Sequence, residues 1–361
     1  MHGRMSLSHC VLCVFVAAAT VAGSIATGGE GASGSAARSK KSRPIEHKSI
    51  SKYEFGRGDR SFWLFEPAEP KPKSAPVIVF HHGWMAYNPG IYGAWIEHLV
   101  RRGYIVIFPR YQNDVSTDPA QFLANSLSAT KDAFDVLATS PSHVHADRNR
   151  FALIGHSAGG NLSALMAAGA KEEGLPEPKA VVAVTPGEVK PLAEDALKDL
   201  PSTTLFVVTV GEDDQVLGDT RGRELYARAT TIPRERKKFV LFRSDLHGFP
   251  PLIADHTSPA ASSRKLDTGE APFRSLQMFD AEVDALDVEG YWKLADVTIE
   301  AAFAGKTLDE ATDHGKKWID LGRWGDGVAV TPPIIGDDLA SFPRVIHPSG
   351  AKIINWFNPW N

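Results

Sequence analysis

Residues 150–169, RFALIGHSAGGNLSALMAAG, carry the clearest structural signal in this sequence. They predict a short apolar strand, a turn of small residues and an Ala- and Leu-rich helix. Ser157 lies in the turn between Gly155 and Gly159. A strand-to-helix turn this tight brings the backbone at the serine close to both elements, so the flanking positions must lack bulk. The pattern therefore predicts an exposed serine hydroxyl beside the free N–H groups and positive dipole end of a helix.

Apolar runs of strand length alternate with stretches of helical periodicity through the middle of the chain. Runs that are apolar throughout predict strands buried on both faces, and spacings of three and four residues predict amphipathic helices. The predicted strands cover residues 77–80, 104–108, 151–154, 180–184, 205–210 and 239–242, and the predicted helices cover 92–102 and 118–139. This alternation indicates an α/β fold: a single domain with a mostly parallel sheet and helices on both faces.

Candidate partners for the serine follow the last two predicted strands, at the end of the sheet where ligands bind. A serine hydroxyl needs a base within hydrogen-bond reach and a third group that orients the base. Gly211-Glu-Asp-Asp214 supplies carboxylates after one strand, and Asp245-Leu-His247-Gly248 supplies an imidazole after the next. We therefore expect Ser157 to be the nucleophile and His247 the base.

The orienting acid is one of three neighbouring carboxylates. Glu212 is disfavoured, because its extra methylene is harder to hold rigidly and it lies closest to the strand. Asp213 and Asp214 differ by one position, and periodicity does not choose between them while the turn type is unknown.

A developing oxyanion needs two aimed donors. The backbone N–H of Ala158 directly follows the nucleophile, and a second N–H is expected from the loop His81-His-Gly-Trp84 after the first buried strand. We expect Trp84 to donate the second N–H, and the Trp84 ring and His82 to contact substrate. Paired histidines also suit a metal ion, but the chain has no H-E-x-x-H spacing, so we expect no metal.

From about residue 48 to about residue 303 the chain resembles an α/β-hydrolase, specifically the secreted esterase and dienelactone-hydrolase-like branch. The match is carried by His82-Gly83, 155–160, 211–214 and His247-Gly248. The resemblance implies an acyl-enzyme mechanism without a cofactor and a triad of Ser157, Asp214 and His247, since the G-x-x-D spacing selects Asp214. The serine departs from dienelactone hydrolases proper, which use cysteine at this position.

Five further stretches of the chain have predictions of their own. Residues 1–26 predict a signal peptide, because an apolar run too short to span a membrane is followed by small residues, which indicates a secreted or periplasmic location. Residues 27–47, rich in Gly and Ser, predict a flexible linker before a catalytic domain at 48–361. Residues 250–273 predict a surface excursion near the site, residues 280–303 a covering helix, and the remainder an irregular extension along the sheet edge.

The composition of the chain limits which binding partners and substrates are expected. The net charge of −4 over 361 residues, without a basic stripe, argues against nucleic acid. Both cysteines lie in the predicted signal segment, so the mature chain would have neither a disulfide nor a cysteine nucleophile. We expect a small-molecule or polymeric ester as substrate and no stable membrane span. A peptidase or acyltransferase with the same triad, and a catalytically inactive binding domain, are the alternatives, and the oligomeric state is left open.

Overall fold

The computed structural model describes residues 46–188, 193, 195–269, 281–313, 318 and 320–346. The predicted signal segment and nearly all of the predicted linker lie outside these ranges. The last two linker residues do not: the backbone N–H groups of Glu46 and His47 both donate to the carbonyl of Arg101 at 3.0 Å, and His47 is buried. These two residues therefore pack against the domain although they precede the predicted boundary at residue 48.

The described residues form one nine-stranded sheet. Its strands are β1 (Ile50–Phe55), β2 (Phe62–Pro67), β3 (Ser74–His81), β4 (Ile105–Pro109), β5 (His145–His156), β6 (Ala180–Val184), β7 (Leu205–Gly211), β8 (Lys237–Phe242) and β9 (Ile334–Gly336). Their spatial order is β1-β2-β4-β3-β5-β6-β7-β8-β9. Strands β3 to β8 pair in parallel, and β1, β2 and β9 add antiparallel edges.

Helices cover both faces of the sheet. They are α1 (Gly93–Arg101), α2 (Phe122–Thr139), α3 (Ala158–Gly169), α4 (Thr220–Arg228), α5 (Lys293–Phe303) and α6 (Leu308–Thr312), with a π-helical segment (Leu286–Trp292) before α5. Along β3, Ile78 and Phe80 pack into the core that contains residues of α1 and α5, whereas Val77 and Val79 face the core that contains residues of α2 and α3. Because both faces are buried, residues 75–80 of this strand are apolar throughout. The predicted α/β fold is confirmed.

The C-terminal region reaches the sheet edge in part. Strand β9 pairs with β8, with Ile335 opposite Val240, while residues 347–361 lie outside the described ranges. Neither β9 nor α4 is among the elements predicted from sequence. Within the described ranges, the helices are too short or too polar to cross a membrane.

Candidate active site

The turn around Ser157 has the strand-turn-helix form predicted from the sequence. Ser157 joins β5 to α3 with φ of 56° and ψ of −124°, a region that L-residues seldom occupy. A Cβ on Gly155 would lie 2.0 Å from the carbonyl oxygen of Gly159, and a Cβ on Gly159 would lie 2.3 Å from the carbonyl oxygen of His81. Only glycine fits at either position, so these two residues allow the strained turn to form.

Asp214 follows β7 and is fully buried. Its Oδ1 accepts hydrogen bonds from the backbone N–H groups of Val216 at 3.0 Å and Leu217 at 2.8 Å. These bonds fix the carboxylate and leave Oδ2 directed at an imidazole. Asp213 turns elsewhere, because its Oδ2 accepts from the hydroxyl of Ser244.

The imidazole between Asp214 and Ser157 belongs to His256. Its Nδ1 lies 2.8 Å from Asp214 Oδ2, and its Nε2 lies 3.0 Å from Ser157 Oγ. A serine, an imidazole and a carboxylate thus form one hydrogen-bonded line, the arrangement that serine hydrolases share. His256 lies inside the stretch 250–273, which the sequence had marked only as a surface excursion near the site.

Backbone contacts bring His256 to this position. The N–H of Asp213 donates to the carbonyl of Ala254 at 3.0 Å. A Cβ on Gly211 would lie 2.2 Å from that same carbonyl oxygen, so the close approach requires glycine. The chain just before His256 is therefore docked on the turn that carries Asp214.

His247, the base expected from the sequence, does not reach the serine. Asp245 and Leu252 exchange backbone hydrogen bonds at 2.8 and 2.9 Å, so His247 lies in the turn between them. Its side chain is 42% exposed and its Nε2 lies 2.7 Å from Oδ2 of Asp326. The chain returns to the sheet only after this turn. The assignment of His247 is corrected to His256 for this reason.

Charge and burial shift the pKa values of His256 and Asp214 in opposite directions. Burial by itself would lower the pKa of His256, but the neighbouring Asp214 carboxylate outweighs it and raises that pKa above the usual value. Burial would raise the pKa of Asp214, and the imidazole together with the Val216 and Leu217 N–H groups brings it below the usual value. Asp214 is therefore ionised at neutral pH, and it holds the His256 Nδ1–H and leaves Nε2 to accept the serine proton.

The loop after β3 lies against the nucleophile. A Cβ on Gly83 would be 3.3 Å from Ser157 Cβ, so the loop that contains Trp84, the expected oxyanion donor, comes close to the nucleophile. A Cβ on Gly187 would lie 3.2 Å from Ser157 Oγ and 3.3 Å from the nitrogen of Ala158. Glycine at this position keeps the space in front of the hydroxyl and the Ala158 amide clear.

The paired histidines are internal to the fold, which corrects the expected contact between His82 and substrate. His82 is fully buried, and its ring stacks on Tyr111 with centroids 4.0 Å apart. Its ring nitrogens lie against the carbonyls of Gly83 and Arg110. His81 contacts the hydroxyls of Ser163 and Ser126, both at 2.8 Å. Among the residues that the structure describes, no cluster of three metal-ligating side chains occurs.

The fold and this arrangement define the class of protein. A mostly parallel sheet covered on both faces, with a serine at a strained strand-to-helix turn, is the framework of α/β-hydrolases. The family model described as alpha/beta hydrolase fold matches residues 77–288 of the chain, and the chain belongs to this family. Membership indicates a hydrolase. A comparison with curated proteins gives no match.

Proposed function

We propose that the protein is a serine hydrolase that cleaves carboxylic esters through an acyl-enzyme, as in the secreted esterase branch of its family. The proposal rests on one observation: the line from Ser157 Oγ through His256 to Asp214, with spacings of 3.0 and 2.8 Å. Both are hydrogen-bond distances, and the 3.0 Å between Ser157 Oγ and His256 Nε2 lies within the range over which a general base removes a proton. No cofactor is needed for this chemistry.

The order of proton transfers follows from the hydrogen bonds. His256 donates its Nδ1–H to Asp214, so its Nε2 lone pair accepts the proton of Ser157 as Oγ attacks the ester carbonyl. The imidazolium then returns this proton to the departing alkoxide, which leaves as the alcohol, and Ser157 stays acylated. Water repeats the sequence, with His256 as base and then acid, and releases the carboxylic acid.

In this proposal the oxyanion is bound by two backbone N–H groups, those of Ala158 and Trp84. Support for Ala158 comes from its place at the N-terminus of α3, where the helix dipole favours negative charge, and from the open space that Gly187 preserves beside it. Support for Trp84 comes from the close approach of its loop to Ser157.

Turnover of nitrophenyl esters of increasing acyl length, compared with matched anilides, tests the proposal. We expect ester hydrolysis that Ser157→Ala abolishes, with a loss of several orders of magnitude in kcat. Cleavage of the anilides with equal efficiency would identify a peptidase instead, and transfer of the acyl group to an added alcohol in preference to water would identify an acyltransferase. No turnover of any substrate would favour an inactive binding domain.

A further inference from the structure

A buried chain of hydrogen bonds joins the loop after β3 to the segment that carries His256. The N–H of Gly83 lies 2.9 Å from the hydroxyl oxygen of Tyr92. That hydroxyl lies 2.8 Å from Nδ1 of His156, the residue before the nucleophile. Nε2 of His156 lies 2.8 Å from the carbonyl oxygen of His256. The chain thus passes through the strained turn itself.

The groups at the two ends of this series determine which atom donates in each hydrogen bond. The Gly83 N–H is only a donor, so the Tyr92 oxygen accepts there and its own O–H donates to His156 Nδ1. The His256 carbonyl is only an acceptor, so His156 carries its proton on Nε2. Burial lowers the pKa of His156 to about 3, so the ring is neutral and this is its single tautomer. One arrangement of protons satisfies every bond.

This series of hydrogen bonds ends at two backbone groups, the Gly83 N–H and the His256 carbonyl, and catalysis requires that both segments be correctly placed. Gly83 precedes Trp84 and abuts Ser157. The connection from the end of β8 to His256 contains no helix or regular strand, only an isolated bridge between Asp245 and Leu252, so backbone bonds decide where the imidazole lies. The bond from His156 to the His256 carbonyl acts directly on the residue that must stay 3.0 Å from the serine oxygen.

We propose that Tyr92 and His156 are positioning residues. They hold two backbone segments in place relative to Ser157: the loop after β3, which contains Gly83 and Trp84, and the segment that carries His256. This inference rests on the proposed function, since it assigns roles in the same reaction. Neither side chain touches the reacting atoms. In enzymes a misplacement of about 1 Å can cost about 100-fold in rate, so we expect the loss of these buried bonds to lower kcat more than it changes KM.

Tyr92→Phe is the sharpest test, because it removes one oxygen and keeps the ring packed against Phe80. The Gly83 N–H and His156 Nδ1 then both lose their partner. We expect kcat to fall about 10- to 100-fold, with KM changed less than about threefold. Affinity for a trifluoromethyl ketone, which places an oxyanion in the site, should fall by the same factor as kcat/KM. The pH at which kcat/KM rises should stay unchanged, since Asp214 and His256 keep their contact.

Tyr226→Phe is the matched control. Tyr226 is also buried, and its hydroxyl donates to backbone carbonyls of Lys237 and Asp337, away from the bonds described above. Its loss should change stability without changing kcat or ketone affinity. All rates are expressed per serine that reacts with a fluorophosphonate, so that a smaller folded fraction does not mimic a smaller kcat.

A second pair of variants decides the matter if Tyr92→Phe fails to fold. Gln in His156→Gln still offers an acceptor oxygen and a donor NH2 group, whereas Leu in His156→Leu offers neither. We expect the Gln variant to retain at least about fivefold more kcat than the Leu variant. Equal activity of these two variants would overturn the proposal.

The outcomes for Tyr92→Phe separate this inference from the proposed function. Loss of kcat and of ketone affinity by about fivefold or more, with Ser157→Ala inactive, supports the positioning role. A smaller loss in either quantity overturns it while the serine mechanism stands. Full activity in Ser157→Ala would instead refute the proposed function, and the positioning role with it.

Discussion

Removing each of the two histidines in the connection after β8 tests the central assignment. His256→Ala takes away the only imidazole among the described residues that contacts Ser157 Oγ. In a serine triad, loss of the base costs about as much as loss of the whole triad, about 10⁶ in kcat. We therefore expect a loss of at least about 10⁴-fold, with residual turnover supported by the oxyanion donors alone.

His247→Ala is the matched control, a change of the same residue type in the same connection. The side chains of His247 and its partner Asp326 are 42% and 56% exposed. Exposed ion pairs contribute little to stability, so we expect kcat and KM to stay within about twofold of the parent enzyme. The two variants differ only in which histidine is absent.

The measurement is the initial rate on a short-chain nitrophenyl ester, supported by thermal unfolding of each variant. His256→Ala leaves Asp214 buried with its two backbone donors, so we expect a folded protein whose unfolding free energy changes by about 1–3 kcal/mol. Activity of His256→Ala within about tenfold of the parent, or a loss of about 100-fold in His247→Ala, would refute the reasoning from the geometry.

Asp214→Asn should lower kcat by about 10³- to 10⁴-fold, because the amide holds the imidazole in the wrong tautomer. The midpoint of its kcat/KM profile should move to a lower pH, because the charge that raises the pKa of His256 is gone while burial remains. Asp213→Asn, which loses only its bond to Ser244, should cost less than about tenfold; pH profiles of the two variants side by side check both statements. Acid should unfold the protein: burial lowers the pKa of His81 to about 3 and that of His82 to about 4, from 6.5. The unfolded chain therefore binds these protons first, and the unfolding free energy falls by about 1.4 kcal/mol per histidine per pH unit between pH 6.5 and the lowered pKa of each histidine. A lower urea midpoint at pH 5 than at pH 7 is expected, and equal midpoints would contradict this account. Export should remove residues 1–26, which the N-terminal mass of protein collected outside the cells measures.

Elements with a local signal could be predicted from the sequence. Strand β6 was predicted with the same bounds and the other buried strands to within about three residues, because a strand covered on both faces is apolar throughout. Strand β5 is the exception: it begins at His145, six residues before its predicted start, in a polar and partly exposed stretch. The turn at Ser157 was equally predictable, since its small residues form a local pattern, although only Gly155 is required by a contact nearby in the chain; Gly159 is required by the carbonyl of His81. Helix α4 was missed: its mean composition is polar, and its burial depends on packing of a few side chains such as Leu225 and Tyr226.

The candidate base could not be chosen from local sequence. Two histidines, His247 and His256, lie in the connection after β8, and the first has the more typical setting, close to the strand and followed by glycine. The second lies in a polar, Pro- and Ser-rich stretch without periodicity. A sequence reading that kept every histidine of the connection as a candidate would have included it.

The sequence by itself determined the α/β architecture, the strained serine turn and the short run of carboxylates that includes Asp214, because each depends on residues close together in the chain. Which imidazole meets the serine was decided only by the tertiary structure. That choice depends on the bond from the Asp213 N–H to the Ala254 carbonyl and on the absence of a side chain at Gly211. These contacts join segments about 40 residues apart, and nothing in the local pattern at either segment specifies the other.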